Sequence, residues 1–197
     1  LPVVEKRLEG TFKKLFEQDY ETWVEEIDTP PGFDGELRPY QKTGLGWISY
    51  LEDHGFGGCL ADDMGLGKTI QVLARLVQER SIDPLVGPTL VVCPLSVVYN
   101  WKSEANEFTP KLTVHIHHGQ DRTSGDDLTS AIQHHDVTIT TYGTARSDIE
   151  QLRDIQFHRI VLDEAQKIKN TSAGRTQAIR SLSAHHRLAL TGTPVEN

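Results

Sequence analysis

Residues 61–69 read Ala-Asp-Asp-Met-Gly-Leu-Gly-Lys-Thr, and they lie between a short apolar run and a segment with helical spacing. Glycines let the backbone curl so that several N–H groups point at one anion, and the N-terminus of a following helix adds partial positive charge. This context predicts a phosphate loop, in which Lys68 reaches the β- and γ-phosphates of ATP and Thr69 binds Mg²⁺. The other nucleotide-binding positions expected in the loop are Asp63, Met64, Gly65, Leu66 and Gly67.

An acidic pair follows another apolar run. Residues 160–166 read Ile-Val-Leu-Asp-Glu-Ala-Gln, so an expected strand ends in Asp163 and Glu164. Ligands of parallel α/β sheets bind at the carboxyl ends of the strands, where Asp163 would hold Mg²⁺ and Glu164 would position or deprotonate the attacking water. Because Asp62 stands where the general phosphate-loop pattern has glycine, a Gly-rich helix start with an exposed Lys68 is the simpler alternative. A solvated strand end is the corresponding alternative for the acidic pair.

Apolar runs alternate with amphipathic segments along most of the chain. Continuously apolar runs such as 89–93 suit parallel strands that are buried on both faces. The alternation predicts an α/β fold with a mostly parallel sheet flanked by helices. The expected strands are 57–61, 89–93, 112–117, 136–140, 159–162 and 187–190, and the expected helices are 38–53, 68–79, 96–107, 128–134, 145–153 and 171–182.

The first 36 residues differ from the rest in composition. They contain four Lys or Arg and ten Asp or Glu, and so carry −6 of the net charge of −8. Helical spacing over 1–28 and the breaker Thr-Pro-Pro-Gly at 29–32 predict an acidic helical extension with a linker at 1–35. The α/β lobe is expected at 36–197. The sequence is expected to be a piece of a longer protein, cut before a second lobe. The −2 that remains does not exclude a nucleic-acid partner.

Several other classes of protein are disfavoured. Cys59 and Cys93 lie in apolar runs, which predicts buried reduced thiols. The nine histidines show no spacing typical of a zinc site, so packed or surface imidazoles are expected. No apolar run approaches the roughly 18 residues of a membrane-spanning helix, so no membrane partner is expected. We therefore expect a cytoplasmic protein, associated with the nucleoid if it is prokaryotic.

Five segments resemble, in order and spacing, the motifs of the Swi/Snf-type ATPases. They read DDMGLGKT, LVVCPLSVVYNW, TTYGT, DEAQ and LALTGTPVEN, and the resemblance covers residues 36–197. It implies the N-terminal RecA-like lobe of a P-loop NTPase within superfamily two of the helicase-like proteins. Asp62 is usual in this family, and Gln166, where many members have histidine, is typical of bacterial and archaeal members.

The resemblance also implies roles for individual residues. Arg38 and Gln41 would recognise adenine, and Gln166 would act with the catalytic residues and relay the state of the γ-phosphate to a coupling motif at 191–193, formed by Thr191, Gly192 and Thr193. Contacts with the DNA backbone are implied for Pro94, Leu95, Ser96, Thr140, Thr141, Tyr142 and Lys169. The simpler interpretations are an N-cap at Ser96, a plain strand end at 140–142, a solvated Lys169, and packing roles for Trp47 and Trp101.

The implied activity is ATP hydrolysis that drives movement along duplex DNA and remodels protein–DNA complexes. It would require a second RecA-like lobe of the same protein, and a DNA-bound protein would be the target. The lobe alone is expected to bind nucleotide weakly and to be nearly inactive. Two alternatives stay open: a binding module that has lost catalysis, and a helicase acting on RNA or single strands.

Overall fold

The computed structural model describes residues 24–168 and 174–192 of the 197-residue chain. The helix predicted over 1–28 lies mostly outside these residues. Its last part, 24–28, is described and is irregular, so the prediction of a helix there was wrong. The backbone N–H of Ile27 donates to the carbonyl of Lys42 at 3.3 Å, which ties this stretch to the following helix. Lys169, Thr193 and the rest of the C-terminal motif lie outside the described part of the chain.

Strands and helices alternate from Pro39 onward. The strands are β1 (Gly58–Leu60), β2 (Thr89–Cys93), β3 (Val114–His117), β4 (Val137–Thr141), β5 (Gln156–Leu162) and β6 (Ser183–Leu190). The helices are α1 (Pro39–Asp53), α2 (Lys68–Ile82), α3 (Val98–Phe108), α4 (Gly125–Gln133), α5 (Tyr142–Ser147), α6 (Ile149–Leu152) and α7 (Gly174–Ser181). Two 3₁₀ turns, Leu95–Val97 and Ala165–Ile168, follow β2 and β5.

The six strands form one sheet in the order β1-β6-β5-β2-β4-β3, and all of the pairings are parallel. The predicted α/β fold is thereby confirmed. Because the strands are parallel, their carboxyl ends all meet at one edge of the sheet. The phosphate loop after β1, the acidic pair after β5 and the coupling motif after β6 therefore lie side by side there.

Each face of the sheet is covered by helices, which explains the continuously apolar strands. Along β2, Val91 and Cys93 belong to the core shared with α1, α2 and α3. Leu90 and Val92 belong to the core shared with α4 to α7. A strand whose two faces are both buried gains from apolar side chains at every position, which produces the unbroken run in the sequence.

Several element boundaries differ from the predicted ones because tertiary contacts decide them. β5 and β6 start earlier than expected, since Gln156 pairs with Ser183 and backbone ladders do not require apolar side chains. α5 begins at Tyr142 rather than 145, because the side chain of Thr141 accepts a hydrogen bond from the backbone N–H of Thr144. α4 begins at Gly125, whose N–H donates to the side-chain carbonyl of Gln151 at 2.5 Å.

Candidate nucleotide-binding site

The loop between β1 and α2 has the backbone conformation that a phosphate loop requires. Gly65 and Gly67 both have positive φ, at 85° and 73°. A Cβ atom on Gly67 would lie 2.5 Å from Nε2 of Gln41, so a side chain at this position would displace the Gln41 amide. Lys68 opens the 15-residue α2, whose first N–H groups face the loop. The two glycines therefore turn the chain into the helix while leaving its N-terminus accessible to an anion.

Lys68 folds back over this loop. Its Nζ donates to the backbone carbonyl oxygens of Asp62 at 2.7 Å and Asp63 at 3.0 Å. Oδ2 of Asp62 accepts a hydrogen bond from Nε2 of Gln71 at 2.9 Å, so the aspartate fixes the loop to α2. The residue that departs from the general phosphate-loop pattern thus has a structural partner in this chain.

The acidic pair lies at the end of β5. The N–H of Asp163 donates to the carbonyl of Val92 at 2.9 Å, and this bond continues the sheet one residue beyond the strand. Oδ1 of Asp163 accepts from the backbone N–H of Glu164, and Oδ2 accepts from Nε1 of Trp101, both at 2.9 Å. Burial and the charge of Glu164 raise the pKa of Asp163, although the two hydrogen bonds and Lys68 act in the opposite direction.

Glu164 and Tyr142 complete this turn. Glu164 has a φ of 52°, the one positive value among the described non-glycine residues, and it lines the cavity. The hydroxyl of Tyr142 donates to the carbonyl oxygen of Asp163 at 2.8 Å. Burial, followed by the charge of Asp163, raises the pKa of Tyr142, so the phenol remains a donor at physiological pH.

The two motifs line one cavity of about 440 Å³ at the carboxyl edge of the sheet. Its walls include Met64, Gly65, Gly67, Lys68, Thr69, Ile70, Glu104, Phe108, Asp163 and Glu164. A second hollow, of about 340 Å³ at the opposite end of the sheet, contains neither motif and has no bearing on this chemistry. The hydroxyl of Thr69 and the carboxylate of Asp163 are hard oxygen donors, which fit Mg²⁺ bound together with a nucleotide. Among the described residues, no group of three acidic, histidine or cysteine side chains would hold a metal without a nucleotide.

A chain of hydrogen bonds leads from the acidic pair to the coupling motif. Nε2 of Gln166 donates to Oε2 of Glu164, and its Oε1 accepts from the hydroxyl of Thr191 at 2.8 Å. The N–H of Thr191 donates to the carbonyl of Leu60 at 3.1 Å, just before the phosphate loop. A Cβ on Gly192 would lie 2.7 Å from Cγ of Met64, so the coupling motif packs directly against that loop.

Gln41 is tied to the phosphate loop rather than exposed. Its Oε1 accepts from the backbone N–H of Arg38 at 3.0 Å, and its Nε2 donates to the carbonyl of Leu66 at 3.3 Å. The hydroxyl of Tyr40 reaches the same carbonyl at 3.2 Å, while Arg38 is exposed. The start of α1 and the phosphate loop therefore form one connected unit.

Comparison with known proteins places this arrangement in a family. Residues 40–197 match the SNF2-related domain. The chain belongs to the SNF2-related family. It is 42% identical over 192 residues to YwqA of Bacillus subtilis (strain 168), which carries the name of an ATP-dependent helicase/translocase. It is 37% identical over 185 residues to the TATA-binding protein-associated factor mot1 of Aspergillus fumigatus (strain CBS 144.89 / FGSC A1163 / CEA10).

A solved structure shows the same relationship. The Sulfolobus solfataricus SWI2/SNF2 ATPase core in complex with dsDNA matches with a TM-score of 0.76 and 38% identity, covering 89% of this chain and 35% of the other. The alignments with the Bacillus and Aspergillus relatives cover 98% and 88% of this chain but only 20% and 10% of those proteins. The chain therefore corresponds to one SNF2-related lobe of much longer relatives. Among its described residues, no helix has the length and apolarity to cross a membrane.

The SNF2-related lobe places the expected DNA-contacting residues in two groups. Leu95 and Ser96 lie exposed in the 3₁₀ turn after β2, beside the half-buried Pro94, and Ser96 makes no side-chain cap. Thr140 is fully buried, and its hydroxyl donates to the carbonyl of His117 at 2.8 Å, so in this conformation its side chain supports the sheet. Thr141 and Tyr142 are also buried and serve the turn into α5 as described above.

The sequence did not indicate some of the contacts in this SNF2-related lobe. Trp101 was expected to pack and is indeed buried, but its indole N–H also holds a carboxylate of the site. Cys59 is exposed on β1, contrary to the expectation of a buried thiol, because an edge strand of three residues leaves one face uncovered. His117 bonds Asp148 through Nε2 at 2.8 Å, which agrees with a packed imidazole.

Proposed function

We propose that this lobe binds and hydrolyses ATP as the N-terminal half of a motor that moves along double-stranded DNA. The observation that carries this proposal is the convergence of Lys68, Thr69, Asp163 and Glu164 on one cavity. These are the residue types that bind phosphates, coordinate magnesium and direct a water in P-loop enzymes. Relatives named as ATP-dependent helicases and a related core solved with dsDNA support the same function.

The nucleotide would bind at the start of α2. The Lys68 ammonium would exchange its two backbone carbonyl partners for phosphate oxygens, while the backbone N–H groups of the loop bind the same phosphates. Thr69 and Asp163 would hold Mg²⁺, which neutralises charge on the β- and γ-phosphates. Arg38 and Gln41, at the start of α1, are proposed to recognise the adenine base.

Glu164 would act on the water. Its carboxylate orients a water molecule and accepts its proton as the oxygen attacks the γ-phosphorus. The bond between that phosphorus and the β–γ bridging oxygen breaks, which leaves ADP and inorganic phosphate. Gln166 contacts both Glu164 and Thr191, so it is placed to report phosphate loss to the coupling motif.

A second RecA-like lobe would complete the reaction. In P-loop enzymes, arginine side chains that stabilise charge on the transferring phosphoryl group contribute about 10³–10⁵ in rate. The cavity lining contains Lys68 as its single basic side chain among the described residues, so this charge would come from outside the lobe. We therefore propose that the isolated lobe turns over ATP slowly, and that closure of two lobes drives each step along DNA.

DNA would be gripped through its backbone at the 3₁₀ turn 95–97. The hydroxyl of Ser96 and free backbone N–H groups suit phosphate contacts that do not depend on base sequence. The near-neutral charge of residues 37–197 agrees with a grip made by local donors and shared with a second lobe. The proposed consequence of movement is the remodelling of a protein bound to the DNA.

The test is ATP turnover by the full-length protein with duplex DNA, single-stranded DNA or RNA of matched length. We expect duplex DNA to stimulate turnover most, and Lys68→Ala to abolish it because the phosphate-binding charge is removed. Equal stimulation by single strands or RNA would favour a helicase on another track. Nucleotide binding without turnover in the wild-type protein would identify a binding module that lacks catalysis.

A further inference from the structure

Asp163 is held by two side chains that come from separate segments. Trp101 of α3 donates its indole N–H to the carboxylate, and Tyr142 of α5 donates its hydroxyl to the backbone carbonyl. The two segments follow the strands β2 and β4, which are neighbours in the sheet, and each begins at the turn after its strand. DNA-contacting residues were expected in both turns; those in the 3₁₀ turn after β2 are exposed, whereas those at the turn after β4 are buried, so a contact there would be made by the exposed outer side of α5. The proposed magnesium ligand thus joins both turns.

The first path runs through α3. The 3₁₀ turn 95–97 precedes this helix, and it exposes Leu95 by 56%, while Tyr99 in the first turn of α3 is exposed by 67%. Trp101 lies two residues beyond Tyr99 and is 1% exposed, so its ring is enclosed by the core. Close-packed interiors transmit small displacements because side chains have few voids into which to relax. A shift of the exposed turn would therefore reach the indole N–H and the carboxylate that it holds.

The second path runs through the start of α5. Tyr142 is 6% exposed and directly follows Thr141, whose hydroxyl caps the helix. The outer side of the same helix exposes Gly143 and Arg146. A phosphate bound on that outer side would act on a helix of six residues, whose first side chain ends at the carbonyl of Asp163.

We propose that Trp101 and Tyr142 are positioning residues that make the orientation of the Asp163 carboxylate depend on DNA bound at the two turns. The proposal rests on the proposed function and gives its DNA dependence a physical route. Groups that hydrogen-bond a metal ligand fix its orientation, and their removal typically costs about 10–100-fold in metal affinity or activity. Without the indole N–H, the carboxylate keeps, among the described residues, the N–H of Glu164 as its one hydrogen-bond donor, so its orientation is less restricted.

The experiment compares Trp101→Phe with Trp47→Phe in the full-length protein. Both variants replace an indole by a phenyl ring, but Trp47 is a partly buried residue of α1 whose ring lies beside Gly58 at the start of β1. Two quantities are measured: the ratio of ATP turnover with duplex DNA to turnover without it, and the affinity for ADP at increasing Mg²⁺ by calorimetry. The second readout does not depend on turnover.

We expect Trp101→Phe to lower the stimulation ratio at least about tenfold and to raise the half-saturating Mg²⁺ concentration by a similar factor. Trp47→Phe should leave both within about twofold. Tyr142→Phe, which removes only a hydroxyl, should lower the ratio by about threefold to tenfold, the effect of one neutral hydrogen bond. If Trp101→Phe does not fold, the result for Tyr142→Phe tests the proposal.

Unchanged stimulation and unchanged Mg²⁺ dependence in a folded Trp101→Phe protein, or in Tyr142→Phe, would overturn the proposal. Equal losses in Trp101→Phe and Trp47→Phe would also overturn it, because they would show a packing effect common to both tryptophans. A wild-type protein that duplex DNA does not stimulate would instead contradict the proposed function. In that case the calorimetry still decides whether Trp101 orients Asp163.

Discussion

Charged side chains have different partners at the two ends of the sheet. At the carboxyl edge, Lys68 and Glu164 face an open cavity, and Lys68 donates to two backbone carbonyls. Toward the amino edge, Arg159 is fully buried and is bonded by both Glu52 and Glu79. The first region keeps charges available for a ligand, whereas the second pairs its charges with one another.

Hydrogen bonds join nearly all of the charged groups in this buried network. Nε and Nη2 of Arg159 reach the two oxygens of Glu52 at 2.7 and 2.8 Å, and Nη1 and Nη2 reach those of Glu79 at 2.8 and 2.6 Å. Arg75 adds a bond to Glu52 at 2.8 Å. Buried charges persist in proteins only when they are paired in this manner. The network therefore joins α1, α2 and β5 into one unit, and it leaves no charge for chemistry.

The difference teaches that a charged residue of this chain indicates function only when side chains of opposite charge do not pair with it. Glu79 and Glu164 are both acidic residues of half-apolar segments, and composition does not separate them. Their partners do: Glu79 is paired with two arginine side chains, whereas the bond that Glu164 accepts comes from the neutral amide of Gln166. Substitutions at one end should therefore change stability, and those at the other should change nucleotide chemistry.

The largest expected effect on stability is that of Arg159→Met. It leaves Glu52 and Glu79 as buried carboxylates with one cationic partner fewer, and breaking such a network costs about 3–5 kcal/mol. Urea denaturation of this chain should show this loss in the free energy of unfolding. The matched control is Arg153→Met, since Arg153 pairs with Glu150 on the surface and should contribute less than about 1 kcal/mol. Equal effects of the two substitutions would break the contrast between the regions.

Acid should weaken the same network. Burial raises the pKa of Glu79, but hydrogen bonds from His158 and Arg159, together with their charges, outweigh it and lower the pKa to about 2 from 4.5. A lowered folded-state pKa stabilises the fold above pH 4.5, and this contribution is lost as the pH falls toward 2. Its size is about 3 kcal/mol.

The check is urea denaturation of wild type and Glu79→Gln between pH 6 and pH 2. The wild-type protein should lose more stability over this interval than the variant, since the variant has no carboxylate to protonate. Identical pH dependence in the two proteins would show that the paired state of Glu79 does not contribute to the acid sensitivity.

The smallest expected effect is that of alanine at Gly67 or Gly55, and comparing the two separates the cost of backbone strain from a change in the site. Gly67 and Gly55 share a φ of 73°, so alanine at either position costs roughly 1–2 kcal/mol of stability. A Cβ added to Gly55 would have no atom within 4 Å, whereas one added to Gly67, in the phosphate loop, would meet the side chain of Gln41. Gly67→Ala should therefore also weaken ATP binding, measured by calorimetry, while Gly55→Ala should not. Loss of binding in both variants would assign the effect to general destabilisation.

The sequence predicted the strands and both nucleotide motifs because these depend on local patterns. Thr89–Cys93 is apolar at every position and was placed without error, and the phosphate loop is contiguous. The strand order and the buried network could not be read in this way. Arg159 lies 107 residues from Glu52 and 80 from Glu79, and no spacing rule connects them.

Trp101 illustrates the same limit within the site. A packing role was the simpler interpretation of Trp101 and its ring is buried, but the partner of its N–H is 62 residues away. Sequence reasoning also favoured a DNA-facing Thr140, whereas the pairing of β3 with β4 buries that side chain. Local pattern therefore predicted the residues proposed to carry the chemistry, and tertiary packing decided which residues hold them in place.

The most direct test of the account is the rate of phosphate release by the full-length protein carrying Glu164→Gln, with ATP, Mg²⁺ and saturating duplex DNA. This substitution keeps the size of the side chain and removes its negative charge and its ability to accept a proton. The account predicts a rate about 10²–10⁴-fold below that of the wild type, with an unchanged unfolding transition. A rate within a few-fold of the wild type would contradict the assignment of catalysis to the carboxyl edge of the sheet.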